Sequence, residues 1–107
     1  MLELLAKVRR LRDQVGPLLS VWAAATRQTL GGKVLGPDER IEVADALKMV
    51  TIGAAYLMFQ DEVKGSITPG KLADFAVLAE DPLAVPVDHV RDIKVLGTVL
   101  GGKVLLR

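Results

Sequence analysis

The chain contains no cysteine, which excludes a disulfide framework, a zinc knuckle and a thiol nucleophile. It has a single histidine, His89. Zinc takes at least three protein ligands even in open catalytic sites, so one chain cannot build a histidine-rich metal centre. Aromatic residues are scarce: Trp22, Tyr56, Phe59 and Phe75 are all there are, and the core must be made from Leu, Val, Ile and Ala. Excess charge of either sign is missing, with 14 basic against 13 acidic residues and a net charge of +1. That balance gives no electrostatic case for nucleic acid or a membrane as partner. A long hydrophobic run is absent too. The stretch from Met49 to Phe59 is about half of the ~20 residues a spanning helix needs. Glu3, Lys7, Arg9, Arg10 and Arg12 do not make a signal-peptide layout. These absences predict a soluble, cytoplasmic protein.

Half of the 107 residues are hydrophobic, which argues against disorder. The length suits one domain, burying roughly two thirds of the surface its unfolded chain exposes. Leu4, Leu5, Val8, Leu11 and Val15 recur at steps of three and four, which predicts an amphipathic helix from about residue 2 to 14. Gly16-Pro17 breaks it, and Pro17 suits the first turn of a second helix running to about Leu30. That helix is apolar around most of its circumference, so burial on more than one side is expected. A third helix follows a turn capped by Asp38, with Val43, Ala44, Ala46, Leu47 and Val50 facing the core. Thr51 reads as a further N-cap and a change of helix direction before Ile52 to Phe59.

Strand signals begin after residue 64. A short extended piece, Gly65 to Thr68, meets Pro69-Gly70, a pair that specifies a type II turn. A β-rich run from Ala73 to Leu78 follows, closed by Asp81-Pro82. Pro86 to Asp92 reads as a loop with a helical turn. Val95 to Leu100, Gly101-Gly102 and Lys103 to Leu106 predict a hairpin, since both central positions of a type I′ turn need positive φ. The order gives an α+β fold, N-terminal helices followed by a small antiparallel sheet of about four strands. The hexapeptide LGGKVL occurs twice, at 30–35 and 100–105, in an interhelical loop and in a hairpin; two copies in unlike contexts do not make a repeat.

Chemistry-bearing patterns are few. Gly65 to Leu72 fits G-x-x-x-x-G-K but has Leu72 where a P-loop needs Ser or Thr for Mg²⁺, and Pro69 removes a backbone donor. It reads as a turn. His89, flanked by Asp88 and Asp92, reads as a solvent-facing residue of a turn. Asp74 reads as a turn carboxylate accepting backbone N–H bonds. The acidic pairs Asp38/Glu39, Asp61/Glu62 and Glu80/Asp81 fall in loops. Ser20 and Ser66 are the only serines, and neither lies in a G-x-S-x-G elbow. The basic stretch from Lys7 to Arg12 spreads around a helix and has no interleaved aromatics.

The wording of residues 64–83, KGSITPGKLADFAVLAEDPL, resembles the C-terminal part of metal-dependent amidohydrolases, in the branch of the N-substituted formamide deformylases. Val21 to Arg27, Gly36 to Ile41, Asp45 to Leu47, Thr51 to Ala55 and Thr98 to Val104 resemble further family segments in the same order. The resemblance covers roughly residues 17–107. It departs at Glu42, where the family usually has Ser. It implies a division into 1–16, a helix unlike the family; 17–60, helices that flank the catalytic barrel of the full enzyme; and 64–107, part of a composite β-sandwich whose N-terminal strands this sequence lacks. The family's metal-centre Asp follows a Gly-Ser motif. The weak candidate here is Asp13, in a helical pattern without the Ser or Pro.

The family activity implied is metal-dependent hydrolysis of carbon–nitrogen bonds other than peptide bonds, with zinc or another divalent metal held by several His. This chain is therefore expected to be a C-terminal fragment without independent catalysis, with no catalytic, cofactor-binding or metal-binding residue of its own. The alternatives are a small hydrolase whose site and small-molecule substrate lie at an oligomer interface, and an interaction module pairing through exposed strand edges. Unpaired edges and an apolar sheet face predict a homo-oligomer.

Overall fold

A computed structural model describes residues 16–106; the expected helix at 2–14 lies outside them. Helix α1 spans Pro17–Thr26. Pro17 occupies its first turn, where the missing N–H costs nothing because that donor has no partner within the helix anyway. The helix stops four residues short of the expected Leu30. Thr26 turns its hydroxyl back onto the Trp22 carbonyl at 2.8 Å and accepts the Gln28 N–H at 3.3 Å. Arg27 then adopts φ 59° in the left-handed region, ending the helix without a glycine.

Residues 28–34 are not a plain loop. Gln28 and Val34 form a β-bridge, and the Thr29 N–H reaches the Lys33 carbonyl at 2.9 Å. A short 3-10 helix, Pro37–Glu39, follows. Asp38 lies inside it and makes no cap; the cap position of the next helix is Glu42, also without a side-chain bond.

Helix α2 (Val43–Lys48) runs through a π turn (Met49–Gly53) straight into α3 (Ala54–Leu57). The expected break at Thr51 does not occur. Its hydroxyl donates to the Leu47 carbonyl, four residues back, at 2.7 Å. A hydroxyl satisfied on the preceding turn has no reason to start a new helix, and the helix widens there instead. Ala44 is exposed, whereas Ala46 is buried.

The core lies between α1, α2 and a second 3-10 helix, Val87–Asp92. Val21, Ala46 and Val90 meet at its centre, ringed by Leu18, Ala24, Ile41, Val43, Leu47, Val50 and Val85. Trp22 closes one side. Its Nε1 donates to Asp88 at 3.4 Å, and the Arg91 guanidinium lies 4.5 Å from its ring centroid, a cation–π pairing.

The sheet has three antiparallel strands in the order β1 (Phe75–Leu78), β2 (Val95–Leu100), β3 (Lys103–Leu106). The extended piece at Gly65–Thr68 pairs with no strand, so the expected fourth strand is missing from the described residues. The α+β arrangement is as expected. Among the described elements, strands pack chiefly on strands and helices on helices. No described helix is long and apolar enough to cross a membrane.

Candidate functional site

The signature segment from Gly65 to Leu83 is where the sequence points, and its residues engage partners far away in the chain. Gly65 comes first. Its φ is +102°, and a Cβ there would stand 2.8 Å from the Ala55 Cβ and 3.0 Å from the Ile52 Cα. Only glycine permits this approach, which lays the segment against the end of the helical run. Pro69 and Gly70 follow as a type II turn: Gly70 has φ +94°, and the Lys71 N–H closes onto the Thr68 carbonyl at 3.1 Å. Beneath the turn, the Leu72 N–H reaches the Val63 carbonyl at 2.8 Å.

Asp74 is the most informative residue of the segment. Its carboxylate accepts the Gly101 N–H at 2.7 Å, and the Gly102 N–H bonds the Ala73 carbonyl at 3.0 Å. Gly101 and Gly102 have φ of +57° and +85°, as the two-residue hairpin turn demands. That turn leaves two N–H groups pointing outward, and the Ala73-Asp74 pair satisfies both. The reading of Asp74 as a turn carboxylate holds, but the turn it serves lies 27 residues downstream. Sequence reasoning missed this because the partner is a backbone group, which carries no residue signal.

Ser66, Thr68 and Lys71 gather on the same loop. The two hydroxyls are 2.8 Å apart, and the Lys71 ammonium donates to Ser66 at 2.9 Å. A lysine serves as base for a serine only where desolvation favours its neutral form. These contacts lie on the exposed surface, beside a shallow cleft of ≈ 290 Å³ lined chiefly by Ile67, Pro69, Leu72 and Phe75. They brace the turn.

His89 sits on the 3-10 helix, as the turn reading expected, but its partner is neither flanking aspartate. Its Nε2 lies 2.8 Å from Glu80 Oε1. The hydrogen bond to Glu80 and that carboxylate's charge raise the imidazole pKa above its ordinary 6.5, with Asp92 adding a smaller push. Among the described residues no group of three or more His, Asp or Glu side chains could hold a metal. Asp13 lies outside the described residues. Asp38 and Glu39 stand in the first 3-10 helix, and Asp61 and Glu62 in a turn.

Residues 12–106 match the amidohydrolase family as a whole. The chain belongs to that family. It is 36% identical over 86 residues to the N-substituted formamide deformylase of Arthrobacter pascens, covering 80% of this chain and 16% of that enzyme. It is 29% identical over 96 residues to the amidohydrolase YtcJ of Bacillus subtilis, covering 87% of this chain and 18% of that protein. Over 71 residues it is 44% identical to Protein LONG AFTER FAR-RED 3 of Arabidopsis thaliana, 64% of this chain and 12% of the relative. No solved structure matches. The amidohydrolase chain thus spans less than a fifth of the relatives it resembles. Its signature residues hold the fold together: Gly65 docks on α3, and Asp74 fastens the closing hairpin.

The donor set does not fit the divalent metal that the family resemblance implies. One histidine, committed to Glu80, and scattered carboxylates among the described residues cannot surround an ion, so no hydrolytic step can be derived through one here.

Proposed function

We propose that this amidohydrolase chain is the C-terminal structural portion of a metal-dependent hydrolase acting on carbon–nitrogen bonds other than peptide bonds, and that it performs no catalysis by itself. The observation that carries this reading is the use made of the signature residues. Gly65, Asp74, Gly101 and Gly102 are occupied in backbone contacts between segments, and none points a free nucleophile, base or ligand into a cavity. Proton transfer in a reaction needs a side chain within hydrogen-bond reach of the reacting atom in a bound pose, and the cleft beside the Pro69-Gly70 turn is lined mainly by apolar carbon. The reading gives the composite sandwich a concrete meaning: the three strands supply one part of a sheet layer that the remainder of a longer enzyme would complete. An N-substituted formamide, the substrate class in the name of one relative, is the substrate to try first. The purified chain, incubated with zinc and an N-substituted formamide, is expected to release no formate above a no-protein control. Elemental analysis is expected to find no stoichiometric metal. One tightly held zinc per chain together with turnover would overturn the proposal and establish a site shared between copies.

A further inference from the structure

We propose that Phe59 anchors this chain to a second copy, its ring entering the apolar cleft beside that copy's Pro69-Gly70 turn. At the end of α3 the Phe59 N–H bonds the Tyr56 carbonyl at 3.0 Å, and the Gln60 N–H bonds the Ala55 carbonyl at 2.9 Å. In this paired closure the residue after the helix cap turns left-handed and is usually glycine. Phe59 takes that position at φ 58°. A residue with a Cβ is strained there, and burial of the ring does not offset the strain, because Phe59 is 93% exposed. A bulky side chain kept where folding favours glycine points to a use outside the fold. Tyr56, Leu57 and Met58 are more than half exposed as well, so the ring stands in an apolar cluster.

Two observations commit the anchor to a second copy. The first is that this chain carries a cleft of matching chemistry. The cleft of ≈ 290 Å³ lined by Ile67, Pro69, Leu72 and Phe75 has room for a phenyl ring, and Phe75 offers it an aromatic neighbour. The second is charge. Asp61 and Glu62 follow within three residues of Phe59, and Lys71 is the sole charged residue among the described ones that line the cleft. Insertion therefore sets opposite charges together. Anchor and cleft are also close neighbours in the chain's own structure: the Val63 N–H bonds the Gln60 carbonyl at 3.1 Å, and the Leu72 N–H bonds the Val63 carbonyl at 2.8 Å. A two-fold axis beside them makes the contact reciprocal, each ring entering the other copy's cleft. The association goes beyond the proposed function and needs no catalysis.

Sedimentation equilibrium over a dilution series tests it. The parent chain is expected to show the mass of two chains and to dissociate on dilution. Phe59→Gly is expected to weaken association at least about ten-fold and, in the dissociated chain, to raise the urea midpoint because the strain is relieved. A residue that merely held the fold would lower that midpoint. Glu62→Lys and Lys71→Glu alter exposed side chains; each is expected to weaken association, and the double variant to restore it. A single-chain mass at every concentration overturns the proposal, as does a Phe59→Gly chain that associates as tightly as the parent. A double variant no tighter than either single one overturns the cleft as the seat of the ring.

Discussion

Individual residues in the signature segment act through hydrogen bonds that their sequence neighbours cannot supply. Asp74 holds the Gly101 N–H at 2.7 Å on the exposed surface, where water can replace a lost partner and a hydrogen bond contributes about 0.5–1.5 kcal/mol net. Asp74→Ala is expected to lower unfolding free energy by that amount in urea titration, and Asp74→Asn, which keeps an acceptor oxygen, to recover most of it. His89 offers a pH-dependent counterpart. Its folded-state pKa is raised by Glu80, so protonation binds more tightly to the folded chain than to the unfolded one. The stabilisation is fully present below the ordinary value of 6.5 and is lost as pH rises through the raised folded value. Melting temperature followed across neutral pH is expected to fall over that window in the parent relative to Glu80→Gln. Equal slopes in the two proteins would remove the pair from the account. The effect is small, because both side chains are partly exposed and surface pairs contribute little.

At the scale of elements, the two LGGKVL copies show how little a hexapeptide decides. Both make β-type turns, but they are offset by one residue. In the later copy Gly101 and Gly102 are both left-handed and form the two-residue loop between β2 and β3. In the earlier copy the Gly32 N–H closes onto the Thr29 carbonyl at 3.0 Å, and only Gly32 has positive φ. The strand pairing on either side selects the turn: Leu100 pairs with Lys103, whereas Gln28 bridges to Val34 across a longer loop. Gly101→Ala is therefore expected to cost about 1 kcal/mol or more. Gly31→Ala is expected to be near neutral, since a Cβ there meets nothing closer than Thr29 Oγ1 at 3.8 Å. Denaturation midpoints of the two single variants check this, and equal losses would show the turns to be misassigned. The helical run carries the same lesson. Thr51 has the composition of an N-cap, yet it bonds backward to Leu47 because the chain on both sides is already helical.

At the scale of the whole molecule, the described residues form a helical layer with a small core and a three-stranded sheet. Val21, Ala46 and Val90 form that core, while Leu57, Phe59, Ile67, Leu100 and Val104 remain more than half exposed. A three-stranded sheet with so little covering among the described residues gains little stability from burial. Hydrogen exchange is expected to be faster at the sheet amides than at the α1 amides that pack on the core. Equal protection of the two would mean that the sheet is held as firmly as the helical core.

By itself the sequence determined the turns, the hairpin and the family. Pro69-Gly70 and Gly101-Gly102 specify their turns locally, because proline fixes φ and glycine alone enters the left-handed region at little cost. The ordered motifs were legible for the same reason: each is a run of residues read in place. Asp13 was the one catalytic candidate the sequence offered, and it lies outside the described residues. What the tertiary structure decided is which groups those motifs meet. The acceptance of the Gly101 N–H by Asp74, the approach of Gly65 to Ala55 and the pairing of His89 with Glu80 join positions whose separation in sequence carries no period. Two of them end on backbone or on a bare Cβ, which leaves no mark on residue choice at the partner. The end of α1 at Thr26 and the uninterrupted helix through Thr51 were settled in the same way, by hydroxyls bonded to a carbonyl on the preceding turn, which at Thr51 replaces the expected cap.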